Sequence, residues 1–409
     1  MTENLRIALF SHDSLGLGHL RRNRALAFAL AAQLPERTGR PVSGLLIAGS
    51  PEAARFDLPT GWDWVILPGV TPAPGGYAPR ALAATMDGLR SLRSAAITAV
   101  LDQQQPDLFI VDRHPFGVAG ELAEVIDHVR ARGTRTVLGL REVLDAPSVI
   151  AAEWERVGGP GSVAAAFDEV WVYGDAAVYD PRATGEVPAE LAEIATLTGY
   201  LALARQEAAT LTGLPDADEP FVLTCLGGGS DGVGLAERAI AATPPPGHTH
   251  LVVVGPQMDL PEVERLRDLA RPNTQILRHT ADMPGLIARA AALVCMGGYN
   301  TLSEVMATRT PALVVPRVGH REEQPRRATA LAAAGALDTC DLNEATPEFL
   351  TAWFARRAGT QSSRDHIDRD GLRTVAALAA DLIDAAVVPA VSALAHSRPT
   401  LTEEVRCAV

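Results

Sequence analysis

Four short stretches of this chain hold the residue types that chemistry on a polar, anionic substrate requires, and each directly follows an apolar run. The first is Ser11-His12-Asp13-Ser14-Leu15-Gly16-Leu17-Gly18-His19-Leu20-Arg21-Arg22. Gly16 and Gly18 let the backbone turn tightly and let a ligand approach closely. The pattern is not the dinucleotide GxGxxG, because the third glycine is missing. His19 is the side chain with catalytic potential, since an imidazole titrates near neutrality and can take a proton from an acceptor hydroxyl or amine. Packing against the start of the following helix is its structural alternative. Arg21, Arg22 and Arg24 are candidate anion contacts, and for at least two of them the expectation is a solvated helix face.

The second stretch is Leu226-Gly227-Gly228-Gly229-Ser230-Asp231-Gly232. Consecutive glycines between a strand and a helix turn several N–H groups toward one point, which suits a diphosphate. No Lys-Ser/Thr pair follows, so the loop is not a nucleotide-hydrolysing P-loop. The third stretch is Met296-Gly297-Gly298-Tyr299-Asn300-Thr301-Leu302-Ser303-Glu304, with a helix expected to begin on Asn300 or Thr301 as its cap. Glu304 then lies one turn in, where a carboxylate can accept two hydrogen bonds from a ribose diol. It also fits the S/T-x-x-E capping box with Thr301, and spacing leaves both roles open. The fourth is Pro316-Arg317-Val318-Gly319-His320-Arg321-Glu322-Glu323-Gln324, whose carboxylates and amide can bind sugar hydroxyls.

To hold these loops on one edge, the chain needs parallel strands. Runs at 6–10, 42–48, 64–67, 108–111, 136–140 and 169–172 alternate with Ala/Leu-rich segments of helical period. A second series lies at 221–225, 251–254, 275–277, 292–295 and 312–315. Short runs that are apolar throughout indicate strands covered on both faces. Two such series predict an α/β protein with two doubly wound Rossmann-like domains facing across a cleft. The expected boundary falls near Thr198-Gly199-Tyr200, giving domains at 1–200 and 201–375. Residues 376–409 are then a helix end and tail, whose return to the first domain the sequence leaves open.

Composition narrows the function. A net charge of −13 disfavours nucleic acid as a partner. Every basic residue is arginine, so an anionic ligand must be held by Arg, backbone N–H groups or helix N-termini. No apolar run approaches the ~20 residues of a membrane span. The opening residues, with Glu3 and no long apolar region, do not read as a signal peptide. The four cysteines lack CxxC or zinc spacing, which fits a reducing cytoplasm. Asp368-Arg369-Asp370 spells a DxD, but it follows the nucleotide half, and metal binding is not expected there.

Taken in order, the four motifs resemble those of GT-B glycosyltransferases, in particular family 28. The likeness is strongest from Phe221 to about Gly335, where the GGGS loop, Ala281-Asp282-Met283, GGYNTLSE and PALVVPR…EEQ occur in family order. The resemblance implies that Gly228, Gly229 and Ser230 line the donor diphosphate and that Thr280 lies where the backbone reads the base. It further implies that Gly298, Asn300 and Thr301 approach the phosphates, that Glu304 holds the ribose, and that Glu323 and Gln324 meet the donor sugar. His19 falls on the family's N-domain loop histidine and becomes the leading base. Glu142 lies on an acceptor-side loop, and Asp112 and His114 are further cleft candidates. Glu323 replaces a residue often Gln in the lipid-linked enzyme of the family, which puts an N-acetylglucosamine donor in doubt. Residues 1–200 carry 17 Arg against 24 acidic residues, which favours a soluble acceptor over a membrane-docked one. The implied activity is an inverting, metal-independent transfer from a nucleoside-diphosphate sugar, UDP type, to a small natural product or saccharide, with no cofactor. A nucleotide-sugar epimerase of the same fold and an inactive nucleotide-sugar-binding partner remain alternatives.

Overall fold

The computed structural model describes residues 4–12, 17–73, 76–205, 219–280, 282–317, 319 and 321–395, the last ten as helical backbone. Fifteen strands are present among the described residues. In the first half they are β1 (Leu5–Ser11), β2 (Val42–Ala48), β3 (Trp62–Ile66), β4 (Val70–Ala73), β5 (Gly76–Pro79), β6 (Leu108–Asp112), β7 (Arg135–Arg141), β8 (Glu169–Tyr173) and β9 (Ala195–Leu197). The second half adds β10 (Phe221–Cys225), β11 (Thr249–Val253), β12 (Thr274–Leu277), β13 (Ala292–Cys295), β14 (Ala312–Val314) and β15 (Asp338–Thr339).

Two open parallel sheets result. The first has the order β3-β2-β1-β6-β7-β8-β9 and the second β12-β11-β10-β13-β14-β15. Each sheet reverses direction at its first strand, between β1 and β6 and again between β10 and β13. Ligands of open α/β sheets bind outside the carboxyl ends of the strands at such switch points. The SHDSLGLGH loop follows β1, the GGGS loop follows β10 and the GGYN loop follows β13, so three of the four motifs lie where this rule places them.

All eleven strands expected from apolar runs are present. Four more were not expected. β4 and β5 form a separate antiparallel hairpin and carry Pro72 and Pro79, while β9 and β15 are three- and two-residue edge strands. Short edge strands with polar residues do not produce an apolar run.

The helix Gly371–Ala395 packs along the helix Gly18–Thr38 of the first half. One apolar cluster runs through this contact, joining Leu26 and Leu30 to Tyr200, Leu223, Tyr299, Val375 and Ala379. The chain passes between the halves twice, near 198–203 and near 368–371, and the two passages are bonded to each other. Tyr200 N donates to Asp368 O at 2.9 Å, Leu203 N to Arg369 O at 3.0 Å and Gly371 N to Tyr200 O at 3.0 Å. A Cβ on Gly371 would lie 2.4 Å from Gly199 O, so only glycine admits this approach. The DxD sequence is part of this crossing, with Asp368 N bonded to the Asp175 carboxylate.

Candidate active site

His19 lies in the first turn of the helix Gly18–Thr38, and its Nδ1 is 3.0 Å from Asp112 Oδ2 at the end of β6. Asp112 is buried and also accepts from Arg22, whose Nη2 lies 2.7 Å from both carboxylate oxygens. Burial alone would raise the Asp112 carboxyl, but the Arg22 guanidinium and His19 override it and hold it well below the usual carboxylate range. An ionised carboxylate at this distance places the proton on His19 Nδ1, leaving Nε2 as the ring's proton acceptor. Arg22 Nη2 also lies 3.1 Å from His19 Nδ1, and with the proton on Nδ1 both groups are donors that meet through the Asp112 carboxylate they share. The His19 side chain is 19% exposed, which leaves the ring accessible while Asp112 is closed off.

Two other histidines crowd this point. The His12 ring is 4.5 Å from His19 and 4.3 Å from His114, centroid to centroid. Burial, then neighbouring positive charge, pushes both His12 and His114 well below the ordinary imidazole range. They are therefore neutral at pH 7. Between Asp112 and His114, Arg113 adopts a left-handed backbone (φ 69°) and its guanidinium pairs with Glu153. A non-glycine residue in that region is uncommon and marks a constrained turn.

The arginines of the first motif are not a solvated face. Arg22 is buried against Asp112, Arg21 reaches across to Glu304, and Arg24 donates to Asp57 O while lying over the Phe28 ring. Buried carboxylates that only Arg can neutralise account for this. Gly18 O accepts from Asn300 Nδ2 at 2.7 Å, whereas Gly16 lies outside the described residues.

In the second half, Gly227 (φ 62°) and Gly229 (φ 92°) bend the loop after β10. A Cβ on Gly229 would lie 2.2 Å from Val254 O, so glycine is required there. Gly228 O accepts from Gln257 N, and Ser230 is exposed. The helix after β13 begins at Tyr299 with Gly298 as its cap, two or three residues earlier than the expected caps Asn300 and Thr301. Thr301 is thus inside the helix and forms no capping box. The Glu304 carboxylate instead pairs with Arg21, and with Arg205 at 3.6 Å. Its Oε2 is buried without a hydrogen-bond partner among the described residues. Asn300 Oδ1 accepts from Arg205, so Asn300 and Glu304 share one cation. Thr280 Oγ1 accepts from Asp282 N at 3.2 Å and Asp282 caps the next helix through Gly285 N. Glu323 and Gln324 open the helix Glu323–Ala333 and both turn to Arg317, by a 2.5 Å ion pair and through Arg317 N.

Two base candidates take other roles in this geometry. Asp112 is buried, ionised and committed to His19 and Arg22, so its oxygens are engaged within the protein. Glu142 is fully buried, and Arg327 Nε donates to it at 2.7 Å from the other half of the molecule. Arg327 also donates to Val143 O and to Gly297 O, beside the third motif. Sequence alone did not single out Arg205 or Arg327, and it read Arg22 as an anion contact or a solvated helix face rather than as the partner of Asp112. The absence of lysine was the available signal, because buried carboxylates such as Asp112, Glu142 and Glu304 could form an ion pair only with arginine or histidine.

Two parallel sheets with loops at both switch points make up the GT-B fold. The comparisons agree. The chain aligns over 95% of its length, and 99% of the other chain, with the crystal structure of the glycotransferase of kitacinnamycin, at TM-score 0.56 and 18% identity. A putative UDP-N-acetylglucosamine 2-epimerase from Listeria monocytogenes aligns over 99% of this chain and 100% of its own, at TM-score 0.54 and 11% identity. Residues 226–356 match the glycosyltransferase family 28 C-terminal domain. A Corynebacterium efficiens protein, UDP-N-acetylglucosamine--N-acetylmuramyl-(pentapeptide) pyrophosphoryl-undecaprenol N-acetylglucosamine transferase, is 29% identical over 60% of this chain and 69% of its own length. The chain has the GT-B fold, and its residues 226–356 are similar to the glycosyltransferase family 28 C-terminal domain.

Proposed function

We propose that the chain transfers a sugar, with inversion, from a nucleoside-diphosphate sugar of UDP type to a small soluble acceptor, a natural product or a saccharide. The observation that carries this reading is the His19–Asp112 pair, 3.0 Å apart beside the meeting point of the two halves. His19 Nε2 takes the proton of the acceptor hydroxyl as its oxygen attacks the anomeric carbon from the face opposite the leaving group. The bond from that carbon to the diphosphate oxygen breaks, and its electron pair leaves with the nucleoside diphosphate. Backbone N–H groups of the loops after β10 and β13 stabilise the developing charge, with arginine and without a metal ion. Glu304 holds the ribose, and Glu323 and Gln324 meet the sugar.

Support comes from the two helix N-termini that converge at Gly18 and Tyr299, since their positive ends favour an anion there. A soluble acceptor and a cytoplasmic setting fit the acidic first half. Among the described residues no helix is long and apolar enough to cross a membrane.

Calorimetry of nucleoside diphosphates and their sugars, without added metal, tests the donor site. Micromolar binding of one nucleotide is expected, and no binding to any of them would sink the reading. His19→Ala should keep that affinity and lower turnover by about 10²–10⁴; unchanged turnover would remove His19 as the base. Conversion of a nucleotide sugar with no acceptor present would instead identify an epimerase.

A further inference from the structure

Arg141 ends β7, on the strand next to the one that carries Asp112, Arg113 and His114. Its side chain is only partly exposed, yet among the described residues it forms no hydrogen bond or ion pair, and its Nε is buried without a partner. The fully buried arginines among the described residues are all partnered: Arg22 by Asp112, Arg93 by Glu121, Arg113 by Glu153, Arg327 by Glu142 and Arg364 by three carbonyl oxygens. The surroundings of Arg141 are also adverse. Burial, then the positive charge of Arg327, with Arg22 and Arg113 adding to it, brings its guanidinium down to about 9. The one opposing carboxylate it feels is Glu323, which Arg317 already engages. A half-buried guanidinium kept unpaired beside three others costs stability, and arginine is the side chain best shaped to receive a carboxylate in a two-pronged hydrogen bond.

We infer that Arg141 receives a carboxylate group carried by the acceptor, so that this chain glycosylates an acidic small molecule. The inference rests on the glycosyltransferase reading and deepens it. Placement decides which substrate bears the group: Arg141 belongs to the first sheet, on the strand beside the His19–Asp112 pair, while the donor loops belong to the second. The carboxylate also neutralises the arginine cluster when the acceptor is in place.

Thermal denaturation of the full chain with benzoate, and with benzamide as its neutral counterpart at matched ionic strength, tests this directly. Benzoate should raise the Tm of the wild type by about 1–3 °C over benzamide. Arg141→Gln and Arg141→Met should abolish that difference, and Arg141→Lys should keep part of it. Without ligand, the Gln and Met variants should melt at or above the wild type, whereas a merely structural arginine would lower the Tm when lost. An equal benzoate response in Arg141→Gln, or none in the wild type, overturns the inference. Calorimetry with UDP-glucuronate and UDP-glucose is the second arm. A preference for the glucuronate that vanishes in Arg141→Gln moves the carboxylate to the donor and overturns the acceptor assignment. Equal effects of the variant on both nucleotides support it. Failure of either nucleotide to bind any variant or the wild type counts against the glycosyltransferase reading, while the benzoate comparison still decides whether Arg141 is a carboxylate site.

Discussion

Arg327 and Glu142 come from opposite halves of the chain, 185 positions apart, and meet in an ion pair at 2.7 Å with both side chains buried. Arg327 also lies 5.7 Å from the Tyr299 ring, so it touches the first half, the third motif and the core at once. Removing one partner of such a pair leaves an uncompensated buried charge. Arg327→Met should therefore destabilise by about 3–5 kcal/mol in denaturant melts. Combined with Glu142→Leu, the loss should be much smaller than the sum of the two single losses. Strict additivity would show that the pair is not a coupled unit.

Asp112→Asn tests orientation apart from proton transfer. The amide can offer an N–H to His19 Nδ1 and so turn the imidazole to the wrong tautomer. Turnover should fall by about 10²–10⁴, with nucleotide affinity nearly unchanged. The same change leaves Arg22 without its carboxylate, so a lower Tm is expected as well. Full turnover in this variant would reduce Asp112 to a structural partner of Arg22.

Glu304 can be tested against its own cation. If its carboxylate binds the ribose, Glu304→Gln should weaken nucleoside diphosphate binding by about 10–100-fold, the range for a hydrogen bond to a charged group. Arg21→Ala frees Glu304 and should not weaken it. Loss of affinity in Arg21→Ala but not in Glu304→Gln would move the donor contact to the arginine.

The acid limb of stability has a definite origin in His250. Burial lowers this imidazole to about 3 from its ordinary value of 6.5, and Thr224 Oγ1 lies 2.9 Å from its Nε2. The folded state binds the proton less readily than the unfolded one. Its contribution is thus fully present above about pH 6.5 and is lost as pH falls toward 3. Over that window His250→Gln should flatten the fall in unfolding free energy by about 1.4 kcal/mol per pH unit. His12 and His114 shift in the same direction, so the remaining slope should not be zero. An identical pH slope in the variant would show that His250 does not titrate with unfolding.

The strands were legible because a parallel strand covered on both faces must be apolar throughout, as Phe221–Cys225 and Leu108–Asp112 very nearly are. Edge strands carry no such requirement, and Asp338-Thr339 looks like any loop. The glycine loops could be read because Gly229 has no substitute at its backbone angles. The pairing of His19 with Asp112 spans 93 positions and depends on β1 and β6 being neighbours, which no local pattern states. For that reason Asp112 stood alone among the base candidates in the sequence, whereas in the fold its carboxylate is shared by His19 and Arg22. Arg22 was misread for a related cause: one turn of helix beyond a loop resembles a wet surface until the opposing strand end is known.

The doubled passage between the halves governs how the molecule can move. A single connecting strand would let one half swivel freely over the other. Two strands stitched to each other at Tyr200–Asp368 and Gly371–Tyr200 behave as a door hinge and leave one easy axis of rotation. The Arg327–Glu142 and Arg21–Glu304 pairs join the same two halves, so any opening about that hinge would have to break both latches.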